Sequence, residues 1–509
     1  MESRARIGAG LLLAAFATQA VVGMLPLSAT WDEITHLPSG YSYLQTGEIV
    51  LNRQHPPLVK LLCALPLLAL KPRADFLNPN HLESPGYEWA YGTDFLYRND
   101  ADRLLFWGRL PVVGLGTLLG LYVFLWAHRL FGAAGGLCSL ALYAFCPSFL
   151  AHTHLVTMDV GLACFATMAF YHLWRDTRWH RVAAGAALGA ALATKFSALA
   201  FLGVVVLLAL VRRPRTPARL ATVLAVAMAV VYLAYLLPSD PRFYAQGVAA
   251  LHRDHQPGFQ HYMLGEFRER FWSYFAVALA VKTPIPTLLA LLAAGVLAVR
   301  GHRAGAIDEG FLLVPAAVFF AVTTTFADDL GVRYVLPVLS LLLIFAGRLG
   351  PWLLERRLRT GLGLALLAWL AWGTLRIAPD HLAYFNALAG GPENGWKVLD
   401  DSNIDWGQDL KRLKPWMERN GVGEIALLYT GNASPEYHGI RYRKVSDQEF
   451  REAPFPGWYA ISVQALIRGR TWERTRGWHT DWMTRYRPAG RVGYSIYLFK
   501  FPAGTSAPL

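Results

Sequence analysis

Charge is scarce in this chain: Asp, Glu, Lys and Arg make up 16% of its 509 residues, against roughly 25% in soluble globular proteins. With 54% hydrophobic residues and a mean hydropathy of +0.30, that shortage excludes an ordinary water-soluble enzyme. Acidic residues are the scarcer sign, 35 against 48 basic ones, for a formal net charge of +13. The basic excess does not point to nucleic acid, because it sits in short Arg clusters between apolar runs and forms no single basic face. Cysteine is nearly absent. Cys63, Cys138, Cys146 and Cys164 lie in apolar surroundings, with no C-x-x-C spacing and no pairing pattern, which excludes a disulfide framework or a zinc module and leaves packing as their role. Internal repeats and low-complexity tracts are also missing.

Long apolar runs are what the chain has in abundance. They cover 7–27, 104–127, 133–150, 158–174, 182–211, 220–237, 272–299, 311–326, 333–347 and 360–378. The first follows Arg4 and Arg6 and ends in "GMLPLSATWDE", a poor cleavage site, so an uncleaved membrane helix is expected. Arg4 and Arg6 place the amino terminus in the cytoplasm. Arg129, the 175–181 cluster, the 212–219 cluster with Arg213 and Arg215, Arg300 with Arg303, and the 348–359 cluster mark further cytoplasmic segments. Both ends of the 182–211 run are Arg-rich, so it must turn back near Lys195 as two short helices of about 20 Å each.

The expected architecture is therefore a polytopic α-helical membrane protein of about eleven transmembrane helices, with its carboxyl terminus outside the cytoplasm. Residues 1–378 form the membrane part, including a first outer loop, 28–103, with amphipathic helices. Residues 379–509 have the composition of a small extracytoplasmic α/β domain. There "GQDLKRLKPWMERNG" reads as an amphipathic helix, "EIALLYTG", "GWYAISVQAL" and "GYSIYLFKF" read as strands, and the tail "PAGTSAPL" reads as disordered.

Ionisable residues in or beside a bilayer are costly and usually functional. This topology gathers Arg109, Asp159, Lys195, Lys282 and Arg333 toward the outer side, with Asp32, Glu33, Glu48 and His55 from the first loop. A carboxylate just outside the membrane can take a proton from an attacking hydroxyl or amine. Asp32 also suits a helix cap, since "TWDE" is a common capping composition. Arg109 reads as a structural partner for a carboxylate, and Arg333 has Asp328 and Asp329 nearby as alternative partners. The run Asp400, Asp401, Asp405, Asp409 fails the EF-hand pattern and reads as caps and a solvated acidic surface. His152, His154, His252, His255 and His261 have no diagnostic ligand spacing. No metal site is assigned; a divalent cation is left open and no other cofactor is expected.

The segment "TWDEITHLPSGYSYLQTGEIVLNRQHPPLVKLL" resembles the first outer loop of the GT-C glycosyltransferases, in the protein O-mannosyltransferase and aminoarabinose transferase group, with its Asp-Glu pair and H-P-P-L element. "CPSFLAHTHLVTMDVGLACF", "ALGAALATKFSAL" and "GVRYVLPVLSLLL" are similar to further elements of that group, and "DSNIDWGQDLKRL" to the outer domain of bacterial members. The resemblance implies transfer of a sugar from a polyprenyl-phosphate carrier to a protein, lipid or glycan acceptor at the outer face of a bacterial inner membrane. It implies Asp32 as base with Glu33 either assisting it or ordering the acceptor, and His55, Asp159, Lys195, Lys282, Arg333 and Tyr334 as substrate-binding residues. A lipid phosphate at the interface calls for Lys or Arg at the outer helix ends. The rival classes are a secondary transporter or lipid flippase, which the missing repeat disfavours, and a noncatalytic membrane scaffold.

The Arg clusters generate a topology prediction: a reporter fused after Leu509 behaves as extracytoplasmic, and one inserted within 212–219 as cytoplasmic. A cytoplasmic carboxyl terminus would dissolve the hairpin at 182–211.

Overall fold

The computed structural model describes residues 2–74, 84, 86–212, 217–254, 258–301, 305–451, 454–476 and 481–502. Arg213, Arg215, His255, Arg303 and the tail from 503 onward therefore lie outside the described residues.

Among the described residues, six helices are long and apolar enough to cross a membrane: Ser3–Met24, Ala101–Ala144, Pro217–Ala234, Ala306–Phe326, Val332–Leu354 and Arg357–Ile377. Tyr274–Lys282 and Ile285–Val299, bent by 112° at Pro284, make a seventh if they count as one span. The expected eleven is not reached by this measure, for a local reason in each case. Ala101–Ala144 merges two runs across a break at Gly132, whose φ of 74° only glycine adopts freely. Asp159–Arg175 has 17 residues and Arg178–Leu192 has 15, each short of a full crossing. The 182–211 run is indeed interrupted at Lys195, where a 3₁₀ turn, Phe196–Leu199, leads into Ala200–Arg212.

The first loop folds onto this bundle through the helices Glu33–Thr46, Leu58–Ala64 and Tyr87–Tyr97. Pro56 and Pro57 delay the second of these until Leu58, because proline lacks the N–H that a helix interior needs. A hairpin of β1 (His261–Met263) and β2 (Glu266–Arg268) interrupts the connection to Tyr274. Beyond residue 378 lie β3 (Ile425–Leu428), β4 (Tyr442–Lys444), β5 (Gly457–Ser462), β6 (Gly490–Val492) and β7 (Ile496–Phe501). They form one mixed sheet in the order β4-β3-β5-β7-β6, parallel around β3 and antiparallel around β7. The helix Leu410–Arg419 buries Leu410, Leu413 and Met417, one face at helical spacing, against the sheet residues Ile425 and Leu498.

One buried ion pair joins the first loop to the bundle. Arg109 donates from Nε and Nη2 to the two oxygens of Glu33, both at 2.7 Å. The same carboxylate accepts the N–H groups of Thr30 and Val156 at 2.9 Å, and Arg109 also donates to the carbonyls of Met24, Leu27 and Ser28. Burial alone would raise the Glu33 carboxyl, but Arg109 and these donors bring it below its usual range. Removing one partner strands the other charge: Arg109→Ala should cost roughly 3–5 kcal/mol. Thermal unfolding of the purified chain checks this, and adding Glu33→Gln should restore part of the loss.

Candidate active site

A cavity of about 520 Å³ opens where the first loop, the helix ends and the segment 400–409 meet. Asp32 sits at the start of Glu33–Thr46 but makes no side-chain cap bond, so the capping reading does not describe it. Its carboxylate accepts from Arg333 Nη1 at 2.7 Å. The same nitrogen lies 3.7 Å from Asp159, which accepts from Lys195 Nζ at 2.6 Å. Carboxylate and cation thus alternate in a four-membered row that is neutral in sum. Side-chain exposure is 19% for Asp32, 9% for Arg333, 2% for Asp159 and 12% for Lys195, so Asp32 is the member most open to an incoming group.

Local folding puts each member in place. Asp159 is the first residue of its helix, where the N-terminal end of the dipole favours a negative charge. Lys195 occupies the break between two helices, and Arg333 lies in the 3₁₀ turn Val332–Val335 ahead of Pro337. Aromatic faces flank the cations: Lys195 Nζ stands 4.1 Å from the Tyr334 ring centre, and the Arg333 guanidinium 4.2 Å from that of Trp406. His55 and His36 also line the cavity, their rings edge to face at 5.1 Å. His36 shares its Nδ1 with the Val156 carbonyl, and burial lowers it to about 4, so its ring is neutral near pH 7.

Two expected site residues belong elsewhere. Glu33 is fully buried with both oxygens engaged, which leaves it no capacity to assist a base. Lys282 does not line the cavity: its ammonium donates to the carbonyls of Leu382 and Asn403 at 2.7 and 2.6 Å, beneath the Phe385 ring. It is a clamp on the backbone. Asp329 accepts the Phe271 N–H, and Arg333 pairs with Asp32 and Asp159.

The acidic run is a larger correction. Asp400, Asp405 and Asp409 are buried, and Asp401, Asp405 and Trp406 line the cavity with Gln464. Asn403 wedges this segment into the helical part, accepting the Val332 N–H and donating to Tyr274. Ser402 bonds the Leu330 carbonyl so closely that a Cβ on Gly331 would fall 2.3 Å from its hydroxyl. Asp405 accepts from the Ser462 hydroxyl and from the N–H groups of Gln464 and Gly407. Burial pushes its carboxyl up to about 7, and Asp400, paired with Arg468 at 2.7 Å, is likewise pushed up to about 7. A Trp set among closely spaced carboxylates in "DSNIDWGQD" was the available sign that this stretch serves more than solubility. Among the described residues no group of three or more His, Cys, Asp or Glu side chains is arranged to hold a metal ion.

Residues 102–239 match the family described as dolichyl-phosphate-mannose-protein mannosyltransferase. The chain has the fold of ArnT from Cupriavidus metallidurans, solved bound to undecaprenyl phosphate: TM-score 0.51, 14% identity, 98% of this chain and 99% of that one covered. The apo form of the same protein gives a TM-score of 0.49 at 14% identity over 97% and 98%. The S. cerevisiae protein O-mannosyltransferase Pmt1-Pmt2 complex, bound to the sugar donor, gives 0.34 at 18% identity over 50% and 38%. No curated protein sequence matches. The resemblance read from the sequence to the GT-C protein O-mannosyltransferase and aminoarabinose transferase group, and with it the expectation of a glycosyltransferase, is borne out by the family segment and the fold.

The buried aspartates generate a pH prediction. For a carboxyl raised from near 3.8 to about 7 on folding, the folded state holds the proton more tightly. Its contribution to stability is complete below about 3.8 and is lost as the pH rises through about 7. Asp405→Asn should therefore shrink the fall in Tm between pH 5 and pH 8, measured by thermal scans of wild type and variant. An unchanged difference would show that Asp405 titrates alike in both states.

Proposed function

We propose that this chain is an integral membrane glycosyltransferase that moves a sugar from a polyprenyl-phosphate carrier, such as undecaprenyl phosphate, to a hydroxyl-bearing acceptor. The observation that carries the reading is the Asp32–Arg333–Asp159–Lys195 row on the cavity wall. It sets one relatively open carboxylate beside cations suited to a phosphate.

In this reading Arg333 and Lys195 hold the carrier phosphate, with Asp159 orienting both. A guanidinium suits the task because its planar fork matches phosphate oxygens. Trp31, Trp89 and Tyr334, with His55 at the same wall, offer faces and polar edges to the sugar. The acceptor oxygen attacks the anomeric carbon and its proton passes to Asp32. The bond from that carbon to the phosphate oxygen breaks, and the carrier leaves as a phosphate monoester. Attack opposite the departing phosphate inverts the anomeric centre. Matching the charge on the leaving phosphate and removing the acceptor proton are then the protein's two electrostatic tasks. The site works at the extracytoplasmic face of a bacterial inner membrane, with the amino terminus in the cytoplasm and the 379–509 domain above the cavity.

Asp32→Asn keeps the side-chain size and removes the base, so turnover should fall by roughly two to four orders of magnitude. The measurement is transfer from the lipid-linked sugar that copurifies with the protein, identified by mass spectrometry. Turnover close to wild type in a folded variant would take Asp32 out of the chemistry.

A further inference from the structure

Two cations face the cavity, and both are already engaged. Among the Lys and Arg side chains of its lining, Lys195 is committed to Asp159 at 2.6 Å and Arg333 to Asp32 at 2.7 Å. Six aspartates share that lining: Asp32, Asp159, Asp254, Asp328, Asp401 and Asp405. Among the described residues, an anion entering this space finds no unpaired Lys or Arg on the wall. It must draw its hydrogen bonds from a group that a carboxylate is using.

Arg333 is the group it can draw on. The side chain is 9% exposed, spends Nη1 on Asp32 and, more distantly, on Asp159, and has an Nε that is buried with no partner among the described residues. A buried guanidinium N–H without an acceptor is an unmet demand for one. The anion it would trade away is Asp32. Asp159 is the more deeply buried, holds the shorter contact to Lys195 and sits at a helix start. Asp32 is the more exposed, and its carboxylate pairs with Arg333.

We infer that the carrier phosphate and Asp32 compete for the Arg333 guanidinium, so that the donor itself switches on the base. This rests on the reading above that the phosphate binds at Arg333. In the empty cavity the guanidinium holds Asp32 as an ion pair, and a carboxylate oxygen held by Arg333 is not free to accept from an acceptor hydroxyl. When the phosphate takes up Arg333, whether it displaces Asp32 or shares the cation with it, the carboxylate oxygen is released toward the cavity, where an acceptor hydroxyl can donate to it. The acceptor hydroxyl then meets a competent base only where a donor is loaded. By linkage the antagonism runs both ways: whatever phosphate does to Asp32, the Asp32 charge does to phosphate affinity.

The consequence is opposite to that of losing an ordinary site residue. Asp32→Asn, which cannot catalyse, should bind bare undecaprenyl phosphate more tightly than wild type, by roughly 5- to 100-fold, the usual range for coupled sites. Kd values for undecaprenyl phosphate are measured on the purified full-length chain for wild type, Asp32→Asn, Arg333→Lys and the double variant. In the Arg333→Lys background the gain should shrink, because an ammonium lacks the fork through which the two anions interact. A carboxylate that merely supports the fold would give the reverse, a lower Tm without lipid and equal or weaker binding. Equal or weaker binding by a folded Asp32→Asn protein overturns the inference, as does a gain undiminished by Arg333→Lys. If Asp32→Asn does not fold, Asp32→Ser is judged by the same comparison. Failure of wild type to bind undecaprenyl phosphate at all is a different result, which removes the phosphate site itself.

Discussion

The Glu33–Arg109 pair is the interaction on which the site depends. Glu33 follows Asp32 directly, so fixing one fixes the other. Its carboxylate ties the loop at Thr30, the helix bearing Arg109 and the turn at Val156 into one knot with no exposed member. A pair taken entirely out of water is held by geometry, because each lost partner leaves a charge the interior cannot tolerate. That rigidity is lent to Asp32, whose side chain points the other way, into the cavity and toward Arg333. Adjacent carboxylates thus divide the labour, one spent on structure and the other kept available.

A second knot closes the cavity from the far end of the sequence. Lys282 collects the carbonyls of Leu382 and Asn403, and Asn403 in turn caps the strand of chain that leads into Arg333. The 400–409 segment is thereby pressed between the first loop and the Arg333 turn, where Trp31 donates its N–H to the Trp406 carbonyl at 3.0 Å. The Trp406 ring covers the guanidinium. The part of the chain after residue 378 is therefore built into the cavity wall.

Which of these features could be read beforehand follows from how local their causes are. Apolar runs, the break at Lys195 and the helix start at Leu58 are legible because hydrophobic length, Arg clusters and proline act over a few residues. Asp32, Asp159, Lys195 and Arg333 could be gathered to one side because intramembrane charge is expensive anywhere and a topology sorts it by side; Tyr334 came only with the resemblance. Glu33 and Lys282 were misplaced because the same cost admits two remedies: a charged group can face a substrate cavity or be saturated by partners distant in sequence. Arg109 and Glu33 lie 76 positions apart, and Lys282 and Asn403 121 apart, distances over which no local pattern speaks. The burial of Asp400, Asp405 and Asp409 escaped for a related reason. Four acids in ten residues read as a solvated surface until the donors from Ser462, Gln464 and Arg468 are brought to them by β5 and the helix after it.

The balance of charge in the cavity explains why these two remedies must coexist. Phosphate recognition near a bilayer needs cations, yet a bare cation in so dry a place would be as costly as a bare carboxylate. Pairing Arg333 with Asp32 and Lys195 with Asp159 keeps the empty cavity neutral along its reactive row, at the expense of affinity for any further anion. Under the proposed function, a protein that binds a charged lipid and later releases it as a still more charged product gains from that compromise. In the proposed reaction the carboxylate that weakens phosphate binding is also the group that takes the acceptor's proton, so one side chain would set both the affinity of the site and its chemistry.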